Sequence, residues 1–112
     1  MRAGEVLEIA TATLKPETSR SGFLTASARM QREFLETRPG FLDRVLYEDE
    51  GGVWGGLLTW ASLKEAQAAL GESMQHESVR EFAAHFLPGT YAVRWVGVAQ
   101  AYPRREQSVV TR

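Results

Sequence analysis

Trp54 and Trp60 lie at even spacing in a run that alternates like a β-strand, so both indoles project from one face with Gly56 and Leu58 between them. Two flat rings across a glycine gap make a stacking wall for an aromatic ligand, where ring-face contact adds ~0.5–1.5 kcal/mol beyond simple burial. The same placement beneath helices also describes ordinary core. His76 stands in a polar link, and imidazole is the side chain that takes and gives protons near neutral pH. The first expectation for a histidine in such a link is a solvated side chain. His85 shares the arc of Ser78 and Glu81 on a short helix and is expected to be exposed. Arg44, on a strand face with Leu42 and Leu46, can anchor an anionic group or form a rim ion pair with Glu48 or another subunit. Ser62 is no nucleophile, because Ser62-Leu63-Lys64-Glu65 has the spacing of a capping box and the hydroxyl is engaged by an early helical N–H. No pair of histidines with a carboxylate has metal-ligand spacing, so no metal site is expected.

The elements that must hold these side chains are readable from periodicity. Val6 to Leu14 is a strand with both faces largely apolar apart from Glu8, and Lys15-Pro16-Glu17 ends it. Phe23, Leu24, Met30, Phe34 and Leu35 recur at helical spacing between about Glu17 and Glu36, and the helix must stop before Pro39. A strand then runs to Glu48, with Leu42, Arg44, Leu46 and Glu48 on one face and Phe41, Asp43, Val45 and Tyr47 on the other. Asp49-Glu50-Gly51-Gly52 is a hairpin turn, and Val53 to Trp60 returns. A helix starts at Ser62, turns Leu63, Ala66, Ala69 and Leu70 inward, and ends or loosens at Gly71. A second short helix carries Val79, Phe82, Ala83 and Phe86, and Tyr91 to Ala101 is the last strand. Residues 1–102 read as one domain and 103–112 as a polar, loosely packed tail.

Strand, helix, strand, strand, helix pair, strand is the order of a ferredoxin-like α+β fold, βαββαβ, with helices on one face of a four-stranded antiparallel sheet. Every strand but the second is apolar on both faces, so the outer sheet face also needs cover, and the same face of a second copy is the simplest cover.

Composition excludes several classes. Thirteen Lys and Arg against fourteen Asp and Glu leave no electrostatic footprint for nucleic acid or an acidic membrane. The absence of cysteine removes disulfides and thiolate chemistry and fits a cytoplasmic home. No apolar run approaches the ~20 residues of a membrane span.

Phe34-Leu35, Arg38-Pro39-Gly40-Phe41, Trp54, Thr59-Trp60-Ala61-Ser62, Glu65-Ala66 and Ala68-Ala69, in that order and spacing, resemble the dimeric α+β barrel superfamily, and within it the antibiotic biosynthesis monooxygenase-like group. The resemblance covers nearly all of residues 6–100. It implies a homodimer whose two sheets face each other, with a cleft for a flat hydrophobic molecule between helices and sheet. Trp60 matches the cleft tryptophan at the end of the third strand. The asparagine that such enzymes carry on the first strand falls near Ala10 to Ala12, and this chain contains no asparagine. Neither histidine has the spacing of the haem ligand of the haem-degrading branch. The implied function is cofactor-independent oxygenation of a small aromatic or polyketide-like substrate, with no cofactor. For that chemistry the residues of this chain offer His76 as proton acceptor and Trp54, Leu58, Trp60, Phe82, Phe86 and Tyr91 around the substrate. The alternative is a non-catalytic homodimeric binder of a small hydrophobic ligand.

Overall fold

The computed structural model describes residues 1–105. Most of the expected tail, from residue 106, lies outside the described residues. Four strands, β1 (Val6–Ala12), β2 (Phe41–Glu48), β3 (Trp54–Trp60) and β4 (Ala92–Gly97), form one sheet in the order β2-β3-β1-β4 with every neighbour antiparallel. Helices α1 (Arg20–Glu33), α2 (Leu63–Ser73) and α3 (Glu77–Ala83) cover one face, with a single 3-10 turn at Leu35–Thr37. The ferredoxin-like α+β plan expected from the element order is the architecture found.

Local chemistry sets the boundaries. Ser19 Oγ accepts from Gly22 N at 3.0 Å at the start of α1, and Ser62 Oγ accepts from Glu65 N at 3.2 Å at the start of α2, as the capping-box spacing requires. In the β2–β3 hairpin Asp49 Oδ1 accepts from Gly51 N at 2.7 Å and Val53 N at 3.0 Å, while Gly52 takes a φ of 80° that a side chain would disfavour. Gly40 also has a φ of 80°, and a Cβ there would meet Glu65 Cδ at 2.4 Å, so this glycine lets the turn before β2 pass under the start of α2.

Several expectations are corrected. The first strand ends at Ala12 instead of Leu14 because the chain leaves the sheet to pair elsewhere: Lys15 N donates to His85 O at 2.9 Å and Leu87 N to Thr13 O at 2.8 Å. Gly71 does not end α2, which runs to Ser73; its φ is not positive, so it does not form the left-handed cap that would stop the helix. Leu24 and Leu63 point to solvent rather than inward. A bulge between Phe41 and Asp43 shifts the β2 register, so Phe41 pairs with Trp60 and Arg44 with Leu58. Phe41 therefore joins Arg44 and Leu46 on the helix-covered side, and Leu42 is turned out.

The sheet consequently has a sharply divided character. Toward the helices it presents Val6, Glu8, Ala10 and Ala12, then Trp54, Gly56, Leu58 and Trp60, then Arg44 and Leu46, with Trp95 from β4. Phe23 of α1 and Trp60 are its most deeply buried large side chains, at 0% and 1% exposure. Outward it presents Leu7, Ile9, Val45, Leu57 and Val96, with Val45 left 56% exposed.

Candidate functional site

The space between sheet and helices is not filled. Ala10, Ala12 and Gly56 are small residues on neighbouring strands, Ala10 opposite Gly56 and Ala12 opposite Trp54, and they leave a depression in the sheet beneath α1 and α3. The result is a cavity of about 390 Å³. Its volume matches that of a small-molecule site.

The walls are aromatic and continuous. Trp54 meets Phe23 edge-on with centroids 5.1 Å apart, Phe23 stacks on Phe82 at 4.9 Å, Phe82 meets Phe86 edge-on at 5.2 Å, and Phe86 stacks on Tyr91 at 5.8 Å with planes only 11° apart. Such offset and edge-to-face pairs fix ring orientations that burial alone leaves loose. Tyr91 is 46% exposed and stands at the rim. Trp60 lies at the far side, its plane set by an edge-on contact with Phe41 at 5.6 Å. Trp54, Leu58, Trp60, Phe82, Phe86 and Tyr91 all line this one cavity.

His76 does not line it. This residue precedes α3, and its ring lies 4.7 Å from that of Phe34, which does line the cavity. His85 is half-buried against Phe23 at 5.7 Å with Nδ1 3.0 Å from Glu81 O, and Ser78 is buried, so the arc expected to face solvent is partly packed.

The titratable groups that do line the cavity are Glu8, Arg44 and Tyr91. Glu8 is 7% exposed. Its Oε1 accepts from Trp60 Nε1 and from Trp95 Nε1, each at 3.1 Å. Burial pushes the Glu8 pKa above the ordinary carboxylate value, and the two indole bonds pull against that shift without cancelling it. The Tyr91 hydroxyl is pushed up to about 12, first by burial and then by the negative charge of Glu8. Burial lowers the Arg44 guanidinium to about 10, which leaves it cationic at neutral pH. Arg44 does not form the expected pair with Glu48, which instead takes Arg20. It lies over the Phe82 ring at 5.4 Å and donates from Nη2 to Ser27 Oγ at 2.8 Å. Among the described residues no carboxylate comes within ion-pair distance of it.

Glu8 is the group that sequence reasoning passed over, as a lone polar residue in an apolar strand. The available signal was its register: a carboxylate at an even position of β1 had to fall on the covered side, among the tryptophans.

With this geometry in hand, the fold can be placed among known ones. It is a ferredoxin-like α+β fold shared with three solved structures described, provisionally, as antibiotic biosynthesis monooxygenases. No protein-family model matches the sequence, and no curated protein is similar to it in sequence. Among solved structures, SnoaB, a cofactor-independent oxygenase from Streptomyces nogalater, superposes with a TM-score of 0.72 at 18% identity, over 91% of this chain and 100% of the other. A monooxygenase from the ActVA-Orf6 gene of Streptomyces coelicolor, solved with the ligand nanaomycin D, gives 0.65 at 16% identity over 93% and 95%. A protein of unknown function from Nitrosomonas europaea gives 0.69 at 13% identity over 95% and 100%. At these identities the likeness establishes the fold.

Proposed function

We propose that this protein binds a small flat aromatic molecule in the cavity under its helices and oxygenates it without a cofactor, working as a homodimer joined through the outer sheet face. The observation that carries the reading is the 390 Å³ cavity walled by Trp54, Trp60, Phe82 and Phe86 with one buried carboxylate, Glu8, at its floor. The fold shared with SnoaB and with the nanaomycin D complex supports it.

The chemistry asks little of the protein beyond binding, one proton acceptor and exclusion of water. A doubly benzylic methylene of an anthrone-type phenol loses a proton to the base. The resulting carbanion transfers its electrons to dioxygen, a hydroperoxide forms at that carbon, and loss of water leaves a carbonyl. The net change is methylene plus O₂ to carbonyl plus water, with the proton returned. Glu8 is the carboxylate placed to take that proton, and its raised pKa brings it nearer the working pH. His76, the proton acceptor expected from sequence, is not among the residues that line the cavity.

A second reading, a non-catalytic binder of a small hydrophobic ligand, is favoured by one feature. Where oxygenases of this fold carry an asparagine on the first strand, this chain has Ala10, Thr11 and Ala12. Oxygen uptake by the pure protein with anthrone separates the two. Uptake above background that falls in Trp60→Phe and Glu8→Gln supports oxygenation, whereas background uptake alongside saturable binding leaves the binder.

A further inference from the structure

Glu8 and Arg44 are not independent features of the cavity. Both pair in register with Leu58 of β3, Glu8 from one side and Arg44 from the other, so the three form a single row across the helix-covered sheet face. Adjacent strands lie ~4.8 Å apart, which sets the Glu8 and Arg44 backbones roughly 10 Å from each other with a leucine between. They do not pair with one another, and each side chain is held by other contacts. The carboxylate is tied through Oε1 to Trp60 and Trp95, and among the described residues its Oε2 has no hydrogen-bond partner. The guanidinium donates from Nη1 to Ser27 O at 3.5 Å and from Nη2 to Ser27 Oγ at 2.8 Å and lies over the Phe82 ring, which leaves Nε without a partner among the described residues. The cavity therefore has a negative end and a positive end separated by apolar wall.

We infer that the cavity takes a flat aromatic acid bearing a hydroxyl at the far end of its ring system, with the hydroxyl donating to Glu8 and the acid anion lying on Arg44. The inference rests on the binding reading above and gives it a polarity. Leu58, Trp54 and Trp60 contact the ring between the two poles. A ligand of this kind supplies a partner to both desolvated charges at once, and a ligand lacking either group leaves one of them unpaired. A bicyclic ring system spans the row between the poles, and about 390 Å³ accommodates it.

Calorimetric titration with 6-hydroxy-2-naphthoate, 6-methoxy-2-naphthoate and 2-naphthol tests this, using the full chain. Loss of one buried charge-assisted hydrogen bond costs about tenfold or more in affinity. The wild type is expected to bind the hydroxynaphthoate at least about tenfold more tightly than either of the others. Glu8→Gln should erase the preference for hydroxyl over methoxyl and keep that for the acid, and Arg44→Gln should do the reverse. Saturable binding of all three within about threefold, or a preference untouched by both variants, overturns the inference and leaves the binding reading standing. No saturable binding of any probe overturns both. If a variant fails to fold, the three probes against the wild type still decide.

Discussion

Trp60 Nε1 donates to Glu8 Oε1 at 3.1 Å, across the seam between β3 and β1, where Glu8 is the diagonal neighbour of the Val6–Trp60 pair. One carboxylate oxygen thereby fixes the ring that closes the floor of the cavity. The indole of Trp95 on the far strand meets the same atom, so three strands of the sheet are joined at one point.

That relationship gives a pH dependence with a definite sign. Burial raises the folded-state pKa of Glu8 above its unfolded value. The folded state then holds the proton more tightly, so the Glu8 contribution to stability is most favourable at low pH. It declines as pH rises from the ordinary glutamate value through the folded-state value, and is constant above that. Glu8→Gln keeps an acceptor for both indoles and removes the charge. It should melt at or above the wild type at neutral pH, with the gap closing below about pH 4. Thermal denaturation of both proteins across pH measures the gap, and a gap that widens on acidification has the wrong sign.

Glu8→Ala is a different experiment. It leaves two indole N–H groups without their acceptor, at a cost of about 1–3 kcal/mol for each group that finds no water. Urea unfolding should show Glu8→Ala less stable than Glu8→Gln, whose difference isolates the two hydrogen bonds.

Phe23 sits between Trp54 and Phe82 with no exposure. Phe23→Ala should destabilise by about 3–5 kcal/mol, a large share of the roughly 5–15 kcal/mol that holds a chain of this size folded. Phe23→Leu should cost distinctly less, since it retains most of the volume. Denaturant midpoints compare the two.

The outer sheet face makes its own prediction. Val45, with Leu7, Ile9, Leu57 and Val96 beside it, presents apolar side chains where a partner sheet would pack. The wild type should sediment as a dimer at micromolar concentration, and Val45→Asp should shift it toward monomer by burying an unpaired charge within that contact.

Much of this architecture was legible beforehand because its signals are local. The Ser62 cap, the Asp49–Gly52 turn and the stop before Pro39 each depend on a few adjacent residues, and the element order follows from them. That Trp54, Leu58 and Trp60 share one strand face followed from alternation, and the resemblance singled out Trp60 among them. What stayed hidden depends on distant pairing. The bulge that turns Phe41 in and Leu42 out is set by register against β3. The role of Glu8 required knowing that Trp60 and Trp95, far along the chain, converge on one oxygen. His76 drew attention by residue type, and residue type carries no information about whether a side chain lines the cavity.

The cavity itself offers the most direct test, through Gly56. A Cβ at this position would lie 3.3 Å from Leu58 Cδ1, a contact the flexible end of that side chain can relieve, so a larger residue is accommodated by occupying the empty space. Titration of wild type and Gly56→Leu with 6-hydroxy-2-naphthoate by calorimetry, with both proteins checked for a cooperative melt, measures whether that space is the binding site. Saturable binding to the wild type that is lost in folded Gly56→Leu is the predicted result. Equal binding to both, or none to the wild type, contradicts the central claim.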